Sequence, residues 1–385
     1  MVDAKNELID CARSLYPGMV QVPLHAPTFF GNEKEYLAEC INSTFVSYVG
    51  KYVNQFEQMI AEFTGAKYAV AVVNGTVALH MALKVAGVEE NDEVITQVLT
   101  FAATANAIVH TGADPVFVDV DLDTMGMSPH SLLKWLKANV EITNKSGKPI
   151  NRSSKKTISA IVPMHTFGHP CQIDEIIAIA DEYNIPVVED SAESLGSYHK
   201  KKHTGTFGIA GVLSFNGNKT ITTGGGGMVI TDDEAFAKEV KHITTTAKVQ
   251  HAWDFVHDKV GYNFRMPNIN AAIGVAQMEN IDEYLNIKRR IANTYANCCK
   301  KLNIEYFNEP KSTHSNYWLN CIILEDIKER DEFLQLSNDS GIMTRPAWRL
   351  MHQLDMFRNC QRDNLHSSLW LADRIVNLPS GVIRS

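Results

Sequence analysis

The chain has 385 residues, 45% of them hydrophobic and 21% charged, the composition of a globular protein long enough to bury a core without disulfide or metal staples. Its formal net charge is −8 and its 36 lysines and arginines are scattered, which excludes nucleic acid or an anionic membrane as the main partner. No apolar run approaches a membrane span, residues 1–10 do not read as a signal peptide, and the seven cysteines show no CxxC spacing, so a reduced, cytoplasmic protein is expected.

Past a polar N-terminal segment, short β-branched runs alternate with amphipathic ones. Tyr68 to Val73 reads as a strand and Val77 to Ala86 as the helix after it. Glu93 to Val98, Pro115 to Val120, Ile158 to Met164 and Pro186 to Glu189 are rich in valine and isoleucine and bounded by polar or glycine residues, as in strands buried on both faces. Between the last two, Ile173, Ile176, Ile177 and Ala180 share one face of a helix. Such alternation predicts an α/β fold, a mostly parallel sheet with helices on both sides. The pattern then changes: Ile281 to Leu302 reads as a long helix, Tyr317 to Leu324 as a strand and Asp326 to Asn338 as a helix of a smaller α+β unit. The predicted division is a large domain over residues 1–250, carrying the N-terminal segment, and a small domain over 251–385.

Ligands of open parallel sheets sit beyond the carboxyl ends of the strands, and the notable polar residues collect there. Asn74-Gly75-Thr76 follows a strand and opens a helix. It reads either as a simple N-cap or as a turn whose amides attract phosphate, and without a following lysine it is not a Walker loop. Asp190 ends a strand before Ser191 and Ala192. It is either a cap or a carboxylate placed to pair with a cationic ring nitrogen. Lys219 follows an apolar strand and precedes the Gly224 to Gly227 run, with no acid beside it in sequence. That setting suits a partly desolvated amine able to attack an aldehyde, although most lysines are surface residues.

Five motifs in order carry a resemblance: Asn74 to Leu79, Thr100 to Asn106, Glu189 to Gly196, Ser214 to Lys219, and Asn263 to Met266 followed by Ala271 to Gly274. Together they resemble the DegT/DnrJ/EryC1/StrS family of nucleotide-sugar aminotransferases, from Val22 to Ser380. The resemblance implies an aspartate-aminotransferase-like (type I) fold and pyridoxal 5′-phosphate as cofactor. By position it implies that Lys219 holds the cofactor as a Schiff base and moves a proton. Asp190 keeps the pyridine nitrogen protonated, and Phe101 and Ala192 flank the ring. Gly75, Thr76 and Ser214 bind the phosphate. Asn263 reaches that phosphate from a neighbouring subunit, so a homodimer with shared active sites is expected. Two positions depart from the common pattern: Glu193 stands where Gln or His is usual beside the cofactor's phenolic oxygen, and Gly225 replaces a frequent glutamate.

The implied acceptors are nucleotide-linked keto sugars, with L-glutamate as donor. Leu24 to Phe29, Ser47 to Lys51 and Thr344 to His352 resemble enzymes of legionaminic-acid and bacillosamine-type pathways. Those enzymes aminate C4 of a UDP-linked 2-acetamido-2,6-dideoxy-4-hexulose in surface-glycan amino-sugar biosynthesis. Lys51, Arg345 and His352 are the candidate substrate contacts, Arg345 because its fork suits a diphosphate. GDP-4-keto-6-deoxymannose, which gives perosamine, is the alternative acceptor. Other classes fit less well. A nicotinamide enzyme lacks its GxGxxG, and neither His165 with His169 nor His199 with His203 is completed into a metal site. A dehydratase of this fold replaces the lysine, and a sugar-sensing regulator would have no use for the Lys219 and Asp190 pair.

Overall fold

Valine and isoleucine runs with no polar face must be covered on both sides, and the seven strands that meet this description form the centre of the molecule. The computed structural model describes residues 2–142 and 147–383. The strands are β1 (Tyr68–Val72), β2 (Glu93–Gln97), β3 (Asp114–Val118), β4 (Ile158–Val162), β5 (Val188–Asp190), β6 (Ala210–Ser214) and β7 (Gly227–Thr231). Hydrogen-bonded ladders give the orders β1-β7-β6-β5 and β3-β2-β4. Single parallel bridges, Ile161 to Val187 and Met164 to Asp190, join β4 to β5 and so connect the two sets. β7 alone runs antiparallel to its neighbours, paired to β1 and β6.

Each predicted strand of this sheet is present, shortened or shifted by one to two residues at an end. The largest consequence is at β5, where Asp190 is itself the last strand residue and its position in the ladder opposite Val212 is set by backbone pairing. Helix α4 (Gly75–Val85) begins two residues before the predicted start because Asn74 caps it. Helices α5 (Ala102–His110), α6 (Pro129–Asn139), α7 (Ile173–Glu182) and α8 (Glu234–Thr244) complete the covering layers.

The N-terminal segment, polar in composition, folds into α1 (Val2–Leu15), α2 (Glu33–Ser43) and α3 (Lys51–Thr64). In α3, Tyr52, Val53, Phe56 and Ile60 are buried with Met59 and Phe63 packed beside them, while Asn54, Gln55, Gln58 and Glu62 are exposed. The buried face packs on α9 (Asn268–Met278), and α1 packs on α10 (Ile281–Leu302). A second sheet, in the order β8-β9-β11-β10, is built from β8 (Glu305–Tyr306), β9 (Asn320–Ile323), β10 (Arg345–Pro346) and β11 (Ile375–Leu378). Helix α11 (Ile327–Asp339) starts on an Asp326 cap and lies against β10 and β11. Among the described residues no helix is long and apolar enough to cross a membrane.

Candidate active site

β5 and β6 run parallel, so their last residues, Asp190 and Ser214, emerge at the same edge of the sheet, where α4 also begins. A cavity of about 280 Å³ opens there. At its floor, extended Asn74 accepts the Val77 N–H through Oδ1 at 2.8 Å. Gly75 passes so near β6 that a Cβ on it would stand 2.8 Å from the Ser214 Cβ. The absence of a side chain therefore brings the first turn of α4 and the Ser214 hydroxyl into one anion cradle.

Asp190 is 6% exposed and fixed by two donors, the Thr104 hydroxyl at 2.7 Å on Oδ2 and the Ala192 N–H at 3.1 Å on Oδ1. Thr104 is in turn 2.7 Å from the Thr100 hydroxyl, which tethers the start of α5 to the end of β5. Among the described residues no cation pairs with this carboxylate, so its charge faces the cavity uncompensated. Phe101, which precedes α5, leaves half of its surface uncovered on the cavity wall, 5.9 Å between ring centres from Trp348.

Lys219 sits in the turn that leaves β6, its N–H bonded to the Asn216 carbonyl at 3.0 Å. Its Nζ lies 3.2 Å from Oε1 of Glu193 and 4.1 Å from the centre of the Trp318 indole. The other Glu193 oxygen accepts the Phe167 N–H at 2.9 Å. Burial pushes the Glu193 carboxyl up to about 7, with the Asp190 charge adding to it, while Lys219 and the Phe167 N–H pull the other way.

Trp318 is held from both ends. Its indole N–H donates to the Asn218 carbonyl at 2.7 Å, and its backbone N–H donates to Asn316 Oδ1 at 2.8 Å. Behind it, the buried Lys288 of α10 donates to the carbonyls of Trp318 at 3.1 Å, Tyr317 at 3.3 Å and Ser380 at 2.9 Å, and to His25 Nε2 at 2.9 Å. Burial lowers the Lys288 amine to about 7. Burial first, then Lys288 and Lys219, hold His25 well below the usual imidazole range, so it is a neutral acceptor.

Gly75, Thr76, Phe101, Asp190, Ala192, Glu193, Ser214 and Lys219 thus converge on one cavity. Four other sequence candidates do not line it within a single chain. Asn263 is exposed, bridged through its backbone to Thr245. Lys51 opens α3 on the surface and pairs with Glu39. Arg345 turns outward from β10 to Asn338 Oδ1 at 2.8 Å and the Thr344 carbonyl at 2.7 Å. His352 lies in a short turn beyond Trp348, its affinity for a proton lowered by burial and by Arg362.

Sequence reasoning missed Trp318, Trp348, Thr104 and Lys288. Trp318 stands in a stretch that reads as strand. The strand begins only at Asn320, because Tyr317 is left-handed (φ 47°) and the chain corners there. A larger groove, about 680 Å³, lies between α3 and α8, but its lysines, Lys67, Lys238 and Lys241, are exposed surface residues. Among the described residues no three His, Cys, Asp or Glu side chains converge as a metal site. What the cavity offers is an anion cradle, a buried uncompensated carboxylate, an open aromatic face and a lysine amine beside a carboxyl.

Comparison with known proteins agrees with that chemistry. The family model for DegT/DnrJ/EryC1/StrS aminotransferases matches residues 29–383. A GDP-perosamine synthase of Escherichia coli O157:H7 is 40% identical over 364 residues, covering 94% of this chain and 94% of that protein. One from Vibrio cholerae is 35% identical and covers 93% and 94% of the two chains. Among solved structures, a DegT DnrJ EryC1 StrS aminotransferase from Brucella abortus aligns with a TM-score of 0.80 at 27% identity, over 91% of this chain and 90% of that one.

Proposed function

This chain belongs to the DegT/DnrJ/EryC1/StrS aminotransferase family, and on that premise we propose that it moves the amino group of L-glutamate to C4 of a nucleotide-linked 4-keto sugar, with GDP-4-keto-6-deoxymannose the first candidate acceptor. It is a pyridoxal-phosphate-dependent aminotransferase of the type I fold. The observation that carries the reading is the meeting of Lys219, Asp190 and the start of α4 in one cavity.

The residues present fit the cofactor. Its phosphate needs the cradle that a Cβ at position 75 would fill, and its ring nitrogen needs an anion with no other cation to neutralise it. When bound, pyridoxal phosphate supplies an electron sink for charge developing at the donor's Cα. Lys219 takes the proton from that carbon and later delivers it. Asp190 holds the proton on the ring nitrogen, fixed in place by Thr104 and Ala192. Of the residues lining the cavity, Phe101 and Ala192 would flank the ring, Gly75, Thr76 and Ser214 would bind the phosphate, and Glu193 would border the ring beside Lys219.

The partner subunit's Asn263 would complete the phosphate site, making a homodimer with two shared sites. Support comes from the apolar surface just before it, where Trp253, Phe255 and Val260 are 83%, 76% and 87% exposed. Lys51, Arg345 and His352, placed away from the cavity in one chain, are proposed contacts for the nucleotide half of the substrate.

The two perosamine synthases favour a GDP sugar, whereas Leu24 to Phe29 and Thr344 to His352 resemble the UDP-sugar branch. Incubating the enzyme with glutamate and either GDP-4-keto-6-deoxymannose or the UDP-linked 2-acetamido-4-keto sugar distinguishes them. The GDP sugar is expected to show the higher kcat/KM by tenfold or more, about 1.4 kcal/mol of transition-state preference, with an amino-sugar product by mass. The opposite ranking restores the UDP acceptor, and turnover of neither overturns the nucleotide-sugar reading.

A Gly75→Ala substitution tests the cradle. Its Cβ must displace Ser214, so cofactor affinity is expected to fall about tenfold, from roughly 1–3 kcal/mol of overpacking. Absorbance titration of the stripped protein measures it. Unchanged affinity would move the phosphate elsewhere.

A further inference from the structure

Glu193 has no part in the steps above, yet its carboxyl lies 3.2 Å from the Lys219 amine. We propose that Glu193 is the acid–base partner of Lys219: the two side chains keep one transferable proton between them, which passes from Lys219 Nζ to Glu193 Oε1 when the amine attacks and returns when the amine is released. In that transfer an N–H bond breaks and an O–H bond forms, the lysine recovers its lone pair, and no other reactant is needed.

Three observations carry this. The contact is direct, at 3.2 Å, between side chains that are 12% and 1% exposed. Glu193 is aimed, because the Phe167 N–H occupies Oε2 and leaves Oε1 toward the lysine. And the Trp318 indole packs against Nζ, its ring centre 4.1 Å away, which helps bury the amine. The neighbouring groups do not compete. Asp190, the other anion near Glu193, is committed to Thr104 and Ala192. His25, which feels the Lys219 charge from the N-terminal segment, is neutral, and Lys288 lies behind it, bonded to carbonyls. Burial places the Glu193 carboxyl near neutrality, where a group both accepts and gives up a proton readily. It also answers the difficulty of a carboxylate beside a phenolate, since a protonated Glu193 does not repel one.

The inference rests on Lys219 being the reactive amine, and its test is separate from turnover. Full-length protein freed of pyridoxal phosphate is labelled with limiting acetic anhydride between pH 6 and pH 9, and peptide mass spectrometry reads Lys219 against exposed Lys34. A lone amine below its pKa gains about tenfold in reactivity per pH unit. In the wild type, Lys219 labelling is expected to rise to about pH 7 and then level off, because the charged pair and its neutral tautomer carry the same proton count. In Glu193→Gln, which has the same shape but no transferable proton, the rise should continue through pH 9, parallel to Lys34. Coincident profiles in the two proteins overturn the partnership. So does a wild-type profile that climbs steadily, a result that needs no variant to fold. Neither outcome touches the transaminase reading, which Lys219→Ala decides.

Discussion

Lys219→Ala is expected to lower kcat for amino transfer from glutamate by about 10²–10⁴-fold, because the group that moves the Cα proton is removed and general acid–base catalysis is worth that much. The fold should survive. The Lys219 backbone N–H still bonds Asn216, and the indole that covers the amine is held by Asn218 and Asn316. Truncation does leave Glu193 buried without its cation, which raises that carboxyl's affinity for a proton further and leaves it neutral. The measurement is single-turnover conversion of glutamate to 2-oxoglutarate, with added primary amines as a chemical rescue. Turnover within tenfold of wild type would remove Lys219 from the chemistry and with it the present mechanism.

Asp190→Asn separates two explanations that the sequence leaves level, a strand-end cap or a charge for the ring nitrogen. If Asp190 only caps, the amide is a mild change. Its oxygen can still accept the Ala192 N–H, its NH₂ can donate to the rotatable Thr104 hydroxyl, and the loss is about 1 kcal/mol of stability. If it balances a ring cation, removal of the negative charge is expected to cost about 10²–10³-fold in kcat with the fold intact, the size seen when one preorganised electrostatic partner is deleted. Thermal unfolding and steady-state kinetics on the same preparation give both numbers. A stability loss with kcat preserved would return Asp190 to the role of a cap.

The parallel architecture was legible because its strands are buried on both faces, and such strands announce themselves as unbroken valine and isoleucine runs. Asp190 was legible as a strand-end residue, placed by ladder register, and Lys219 as the lysine between an apolar strand and a glycine run. The N-terminal helices were not, since half of α3 is polar and only the fold shows which of its apolar side chains are buried. Trp318 and Lys288 were invisible for a different reason: a tryptophan before a strand and a lysine within a helix carry no local sign of what they touch. Lys288 becomes a buried anchor through carbonyls from residues 317, 318 and 380 and through His25 Nε2, all distant in sequence. A division near residue 250 stays a proposal, because α1 crosses that line to pack on α10.

The cavity draws its walls from distant parts of the chain: Thr104 meets Asp190 across 86 positions, and Trp318 meets Asn218 across 100. Contacts of such separation close late, after loop entropy has been met by nearer ones. On a growing polypeptide, Asp190, Ser214 and Lys219 are made before Trp318 and Trp348, the indoles that line the cavity with them. A cavity walled by both indoles therefore requires the chain as far as residue 348.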